Sequence, residues 1–312
     1  MRFVIETWDP AYGIAAAEST LEPASAPVDA AVERPVEAWE PITPAVEAGP
    51  PPTVAFVDGV RRIDTRVWIE SDEGARPAVC ATVAAGAVMC TPGRAEVTGV
   101  AVRRGLFTAV AEAEPIATRH GDYDVVRARG DEDADLYLSV HSAMAELEAD
   151  VSAELDGAEV IVFDGPLRGR SDANGVGYIK TQHRQYLEGP QFAVVAALGA
   201  GQRTPLFAVG GPNPMWSWYL RLPGPVGHSL AGVVRLELPK LGEVDDAAAR
   251  ADLISGLLPR FASEAHKDPR APQNLHPIAG LERRLHHRLG DVHVMERALR
   301  AMAAAPATAL PV

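Results

Sequence analysis

Six residues of this chain combine a type and a spacing suited to metal or phosphate chemistry: Asp58, Glu148, Asp164, Lys180, His276 and Glu282. Asp58 closes the stretch Thr53-Val54-Ala55-Phe56-Val57-Asp58-Gly59. Its unbroken apolar run predicts a strand buried on both faces, ending in a carboxylate where the chain turns at Gly59. The same ending returns in Val160-Ile161-Val162-Phe163-Asp164-Gly165-Pro166-Leu167. Two strands that finish alike are expected to be neighbours, with Asp58 beside Asp164. Two adjacent carboxylates cannot both stay ionised without a compensating cation. For an all-oxygen pair the usual cation is Mg²⁺ or Mn²⁺.

The other candidates lie on predicted helices and strand ends. Residues 135–155 predict a helix with Val140, Met144, Leu147, Val151 and Leu155 on one stripe. Helical phase puts Glu148 on that apolar side, while Glu146 and Asp150 point away from it. A buried Glu is costly unless paired or metal-bound. Alone it reads as a stripe-margin residue that reaches water, but this helix leads straight into the Asp164 strand, which favours a place at the site. Gly177-Tyr178-Ile179-Lys180-Thr181 reads as a strand or strand end, with Lys180 either a surface lysine or a phosphate contact. A final helix begins at Pro277, a good first-turn residue. Its stripe is Ile278, Leu281, Leu285 and Leu289, and Glu282 falls on the same side. His276 precedes it, where a histidine is more often a cap than a catalyst. His286, His287 and His293 lack the i,i+4 pairing of a helical zinc site.

Composition bounds the classes. The 312 residues suffice for one large domain or two small ones. Cys80 and Cys90 form no CxxC motif and read as reduced core residues. No secretory signal and no bilayer-length apolar run are visible, so a cytoplasmic protein without membrane contact is expected. The net charge of −13 argues against nucleic acid. The distribution softens that objection, because residues 1–57 hold nine acids against Arg2 and Arg34. Elsewhere the bases cluster, as in Arg61/Arg62/Arg66, Arg103/Arg104, Arg168/Arg170/Lys180/Arg184 and Arg283/Arg284/Arg288. Such clusters permit nucleic-acid binding without demanding it.

Residues 1–52 read as an N-terminal arm, rich in Pro, Ala and Glu from 22 to 52, and residues 53–312 as the main domain. Trp39 suggests that the arm docks, on its own domain or on a partner subunit. Residues 1–6 suggest a short strand. Residues 65–70, 78–89 and 95–102 predict an antiparallel meander with turns at Gly74, Gly86 and Pro92-Gly93. Residues 111–135 read as irregular. Strand-like pieces lie at 205–209, 215–222 and 230–238, and two helices, 245–262 and the one from Pro277, close the chain.

The order is strand with Asp, meander, helix with Glu, strand with Asp, helix with Glu or His. That resembles a ribonuclease-H-like α/β fold, a mixed sheet with flanking helices, whose sites hydrolyse phosphodiesters with two divalent cations. Val57-Asp58-Gly59, Phe163-Asp164-Gly165-Pro166-Leu167 and Gly177-Tyr178-Ile179-Lys180-Thr181 together resemble the NurA nucleases. The resemblance implies a dimeric, Mn²⁺- or Mg²⁺-dependent DNA nuclease, both exonuclease and single-strand endonuclease. It also implies a hexameric HerA-type translocating ATPase as partner in DNA end processing. Asp58 and Asp164 match family metal ligands, and Glu148 matches the family's helical glutamate. Near the C-terminus the chain departs from the pattern: Asn274 stands for a Tyr, and Glu282 for a His. The fourth ligand is therefore Glu282 or His276. A carboxylate suits a hard cation better than an imidazole does, which favours Glu282 as ligand with His276 as an accessory. Two other readings stay open. One is a catalytically weak adaptor that binds DNA or the ATPase. The other is an α/β domain whose Asp-Gly pairs are only turn residues.

Overall fold

Short apolar runs in the chain become strands, and its 3.6-residue stripes become helices. The computed structural model describes residues 3–5, 22–23, 26–45, 50–71, 74–180, 184–224, 230–264, 266–268 and 270–304. Three short strands come first: β1 (Phe3–Ile5), β2 (Glu22–Pro23) and β3 (Val28–Asp29). The meander follows as β4 (Val54–Ser71), β5 (Gly74–Thr91) and β6 (Arg94–Thr108), then β7 (Asp124–Arg127) and helix α1 (Asp133–Ala153). The middle of the chain forms β8 (Val160–Asp164), β9 (Gly175–Ile179), β10 (Arg184–Gln185), α2 (Gly189–Ala197), β11 (Phe207–Val209), β12 (Met215–Arg221) and β13 (Val233–Pro239). The chain closes with α3 (Val244–Leu257), a 3-10 turn (Leu258–Phe261), α4 (His276–Arg288) and α5 (Val292–Ala304).

Eleven strands among the described residues form one mixed sheet, in the order β3-β11-β12-β13-β9-β8-β4-β5-β6-β7, with β1 added against β4. The parallel pairs β4–β8 and β8–β9 form its centre. The β4–β5–β6 meander and the β9–β13–β12–β11 run extend it antiparallel on either side. Helices cover both faces. Val54, Phe56, Val160, Val162 and Tyr178 pack with Ile254, Ile278, Leu281 and Leu285 of α3 and α4. The alternate residues Ala55, Val57, Ile161 and Phe163 pack with Val140, Leu147 and Val151 of α1. This α/β architecture, a mixed sheet flanked by helices, is ribonuclease-H-like in class.

Several local expectations need correction. The strand carrying Asp58 does not turn at Gly59, because β4 runs on to Ser71 and absorbs the separate strand expected at 65–70. Nor is Gly86 a turn. It lies inside β5 at a β-bulge, where a Cβ would come within 3.2 Å of Leu281 and Leu285 of α4. The irregular 111–135 contains β7, and α5 adds a third closing helix. The missed pieces are short or flank glycine, where periodicity is weakest.

The arm packs on its own chain over residues 26–45. Strand β3 extends the sheet edge along β11. Trp39 is buried, and its Nε1 donates to Ala30 O at 2.9 Å. Glu33 accepts from Arg203, a guanidinium only 1% exposed, at 2.8 Å. Cys80 and Cys90 are buried free thiols.

Candidate active site

The register of the central strands places the two aspartates. The last parallel pair of β4 and β8 is Val57 with Phe163, so the next residues on the two strands are Asp58 and Asp164. There β8 ends, while β4 continues, paired with β5 and, at Val67–Ile69, with β1. Side-chain alternation puts both aspartates on the face that carries α4, in line with Val54, Phe56, Val160 and Val162. Lys180 follows β9 on the same face, two residues past Tyr178, and its Nζ lies 2.6 Å from Asp164 Oδ2.

Glu148 reaches the pair from the opposite face. Its helix α1 packs against the Ala55/Val57 side of β4, to which Gly59 also belongs. A Cβ on Gly59 would stand 2.5 Å from Glu148 Oε1 and 2.8 Å from Met144 Cγ. Gly59 has no positive φ. Its role is therefore close approach: the missing side chain is the gap through which Glu148 meets the strand. Glu148 is buried, while Glu146 and Asp150 are exposed and face Arg103 at 3.8 and 3.1 Å, as helical phase predicted.

Three basic residues answer the acids. Lys180 pairs with Asp164 and also donates to Asn274 Oδ1 at 2.9 Å. Asn274 is fully buried and in turn donates to Asp268 at 2.6 Å. Arg170 donates to Glu148 Oε2 at 2.8 Å and to Ala145 O at 3.0 Å, with its guanidinium 4.5 Å above the Phe163 ring. Arg270 holds Glu282 at 2.7 Å. Tyr178 ties the loop before α4 to β9, its hydroxyl donating to Gln273 O at 2.6 Å.

Electrostatics show that the group is a unit. Burial, then repulsion from Asp164, raises the Asp58 carboxyl well above the carboxylate range, against the opposing pull of Lys180. Glu148 adds a smaller upward push. Burial raises Asp164 as well, while Lys180 draws it down and Glu282 pushes it up. Glu148 is raised by burial against the pull of Arg170. Glu282 is lowered, chiefly by its hydrogen bonds from Arg270.

Of the residues singled out from sequence, Asp58, Glu148, Asp164, Lys180 and Glu282 thus share one electrostatic neighbourhood. His276 is exposed as the first residue of α4 and interacts with Glu264. His286, His287 and His293 are exposed. Thr181 lies outside the described residues, as does the side chain of Arg184. Sequence reasoning did not single out Arg170, Arg270 or Asn274 for the site. A basic pair in the loop leaving the Asp164 strand was the only available signal for Arg170.

The donor chemistry suits a hard cation: a buried and a half-buried carboxylate at adjacent positions on neighbouring strands, each raised by burial, with two glutamates close by. Among the described residues, however, no three His, Cys, Asp or Glu side chains are grouped closely enough to hold an ion as they stand. Glu148 and Glu282 are turned to Arg170 and Arg270. Beside Asp164 opens a cleft of about 870 Å³, lined by Lys180, Arg168, Arg235, Arg270 and Tyr186 among others.

This fold is NurA-like. The structure of the NurA nuclease from Sulfolobus solfataricus superposes with a TM-score of 0.53 at 12% identity, over 86% of this chain and 90% of that one. Looser matches are endonuclease V from Bacillus subtilis (TM-score 0.30, 13% identity, 76% of this chain and 80% of that one) and the catalytic domain of human endonuclease V (TM-score 0.32, 13% identity, 80% and 92%). Similarity at their level carries no argument. The sequence matches no family model and no curated protein. Among the described residues, no helix is long and apolar enough to cross a membrane.

Proposed function

We propose that this chain is a divalent-metal-dependent deoxyribonuclease, acting as exonuclease and single-strand endonuclease. The observation that carries the reading is the pairing of Asp58 and Asp164 at adjacent strand positions, with both carboxyls raised by burial. Asp58, Asp164 and Glu148 would hold Mn²⁺ or Mg²⁺, with Glu282 as the fourth residue. Bound there, the metal supplies an activated water and charge neutralisation on the phosphate. Lys180 then offers a fixed ammonium to a phosphate oxygen, and Asn274 and Asp268 hold it in place. The cleft beside Asp164 accepts the strand, and its basic rim faces the backbone. Consistent with the family resemblance, the chain would work as a homodimer with a HerA-type hexameric translocase in DNA end processing.

A second reading, a catalytically weak adaptor, draws support from the arginines that close Glu148 and Glu282. Digestion of end-labelled single- and double-stranded DNA separates the two. Cleavage that needs Mn²⁺ or Mg²⁺ and disappears in Asp58→Asn is the expected result. DNA binding without cleavage under any divalent metal would favour the adaptor.

A further inference from the structure

The loop between β8 and β9 turns away from the aspartates through Gly165, Arg168 and Gly169, at φ 119°, 52° and 82°. Arg168 is the one non-glycine residue with positive φ among those described. L-residues avoid that conformation unless the surroundings impose it. Here it aims the guanidinium at His141 on α1, whose Nε2 lies in contact with Arg168 Nη2. Since Nε2 faces a donor, the ring proton belongs on Nδ1. That Nδ1 is buried and has no hydrogen-bond partner.

Arg61, exposed on β4, adds its charge to the same place. Burial, Arg168 and Arg61 together push His141 down to about 4. Arg168 is itself lowered by burial and by Arg170 and Arg61, with Glu148 pulling the other way. Among the described residues, neither Arg61 nor Arg168 belongs to an ion pair within 4 Å. The nearby carboxylate of Glu148 is already held by Arg170. Two guanidinium groups and an imidazole thus converge with no anion between them. A multi-oxygen anion is what such a cluster recognises, because guanidinium forks match phosphate oxygens. Arg168 also lines the cleft that contains Asp164.

We propose that Arg61, Arg168 and His141 form a second phosphate subsite, which grips a backbone phosphate of the DNA strand other than the one presented to Asp58 and Asp164. The subsite would set how far the strand advances past the aspartates. This inference rests on the nuclease reading for its ligand, so its test avoids cleavage.

The probe is a fluorescent single-stranded oligonucleotide, bound to the full chain in chelator and followed by anisotropy over a salt series. Each phosphate contact contributes about 0.7 to the slope of log K against log salt for single strands. Arg168→Gly and Arg61→Ala should each shallow the slope by about that amount. Arg168→Gly also removes the strained conformation, so lost binding there is not lost folding. In a scan of single methylphosphonate replacements, one position should weaken the wild type and leave Arg168→Gly unaffected. Wild-type slopes in both variants, or a wild type that binds no oligonucleotide, would overturn the subsite. A separate Mn²⁺ digestion judges the nuclease reading. Binding with shallowed variant slopes but no cleavage keeps the subsite and rejects the nuclease, whereas cleavage with unchanged slopes does the reverse.

Discussion

Replacing Gly59 with Ala tests whether Glu148 belongs to the site, because one methyl group is aimed at it. The new Cβ would lie 2.5 Å from Glu148 Oε1, 2.8 Å from Met144 Cγ and 3.1 Å from Glu148 Cγ. The first contact involves the end of a side chain and could swing aside. The other two involve atoms near the helix, so either α1 retreats or Glu148 adopts another rotamer. Overpacking of this kind costs about 1–3 kcal/mol. Against it, Ala in place of Gly within a strand gains roughly 0.5–1 kcal/mol, since φ here suits either residue. The expected net loss is then about 0–2.5 kcal/mol, too little to unfold a domain of this size. Activity should suffer far more, because a shift of about 1 Å in a catalytic group can cost roughly 10²-fold. Urea unfolding gives the first quantity, and metal-dependent cleavage with Mn²⁺ affinity by calorimetry gives the second. Glu146→Ala on the same helix serves as the control and should be nearly silent. A Gly59→Ala protein with wild-type cleavage and wild-type Mn²⁺ affinity would refute the reasoning, since Glu148 would have moved without consequence.

Asp58→Asn should abolish cleavage yet stabilise the metal-free chain. The native carboxyl is raised, so between the ordinary 3.8 and its native value the folded state holds a proton that the unfolded chain has lost. Wild-type stability therefore falls as pH rises through that window, and the penalty is complete above it. Asn removes the penalty, so denaturation curves of the two proteins should diverge with rising pH and coincide in acid. For the fourth ligand, Glu282→Gln should weaken Mn²⁺ binding strongly and His276→Ala little, as measured by calorimetry; the opposite pattern would shift the role to His276. In the arm, Glu33→Ala strands a guanidinium that is 1% exposed, with Asp252 as its remaining acid. The loss should fall toward the lower end of the roughly 3–5 kcal/mol typical of a broken buried pair. Chemical denaturation measures it, and no change would show that Asp252 suffices alone.

The legible part of this fold was its strongly patterned part. Uninterrupted apolar runs at 54–57 and 160–163 gave two central strands, and their shared ending gave the pairing of Asp58 with Asp164. The stripe on α1 separated Glu148 from Glu146 two residues away, because a helix turns those side chains to different faces. What stayed hidden depends on contacts distant in sequence. Gly59 has the local signature of a turn, and only the approach of α1 makes it a gap in a continuous strand. The same holds for Gly86, whose missing Cβ makes room for α4. The cations that answer the acids come from loops, where no periodicity constrains direction. Arg170 was visible as part of a basic cluster but not as the partner of Glu148. Arg270, twelve residues before Glu282, gave no signal at all.

Those loop cations also bear on whether the acidic balance of the chain is compatible with the proposed nucleic-acid substrate. At the site four carboxyls (Asp58, Glu148, Asp164 and Glu282) are set against Lys180, Arg170 and Arg270. Lys180 pairs with Asp164, Arg170 with Glu148, and Arg270 with both Glu282 and Asp268, while no ion pair to Asp58 forms among the described residues. Among the described residues its direct support is the Gly59 N–H, which donates to Oδ1 at 2.8 Å. Burial, then repulsion from Asp164, pushes Asp58 well above the carboxylate range, while Glu282, gripped by Arg270, is lowered. With Asp58 keeping its proton to higher pH, the metal-free site carries less negative charge than its carboxyls would in water. The net charge of −13 is thus carried largely outside the cleft, and much of it by the N-terminal segment. Under the proposed function, a strand approaching Asp164 would meet Lys180, Arg168, Arg235 and Arg270 along a cleft wall whose acids are Asp164 and Glu237. For nucleic acid the deciding quantity is this local field, since the charge of the whole chain is screened beyond about 10 Å at ordinary salt.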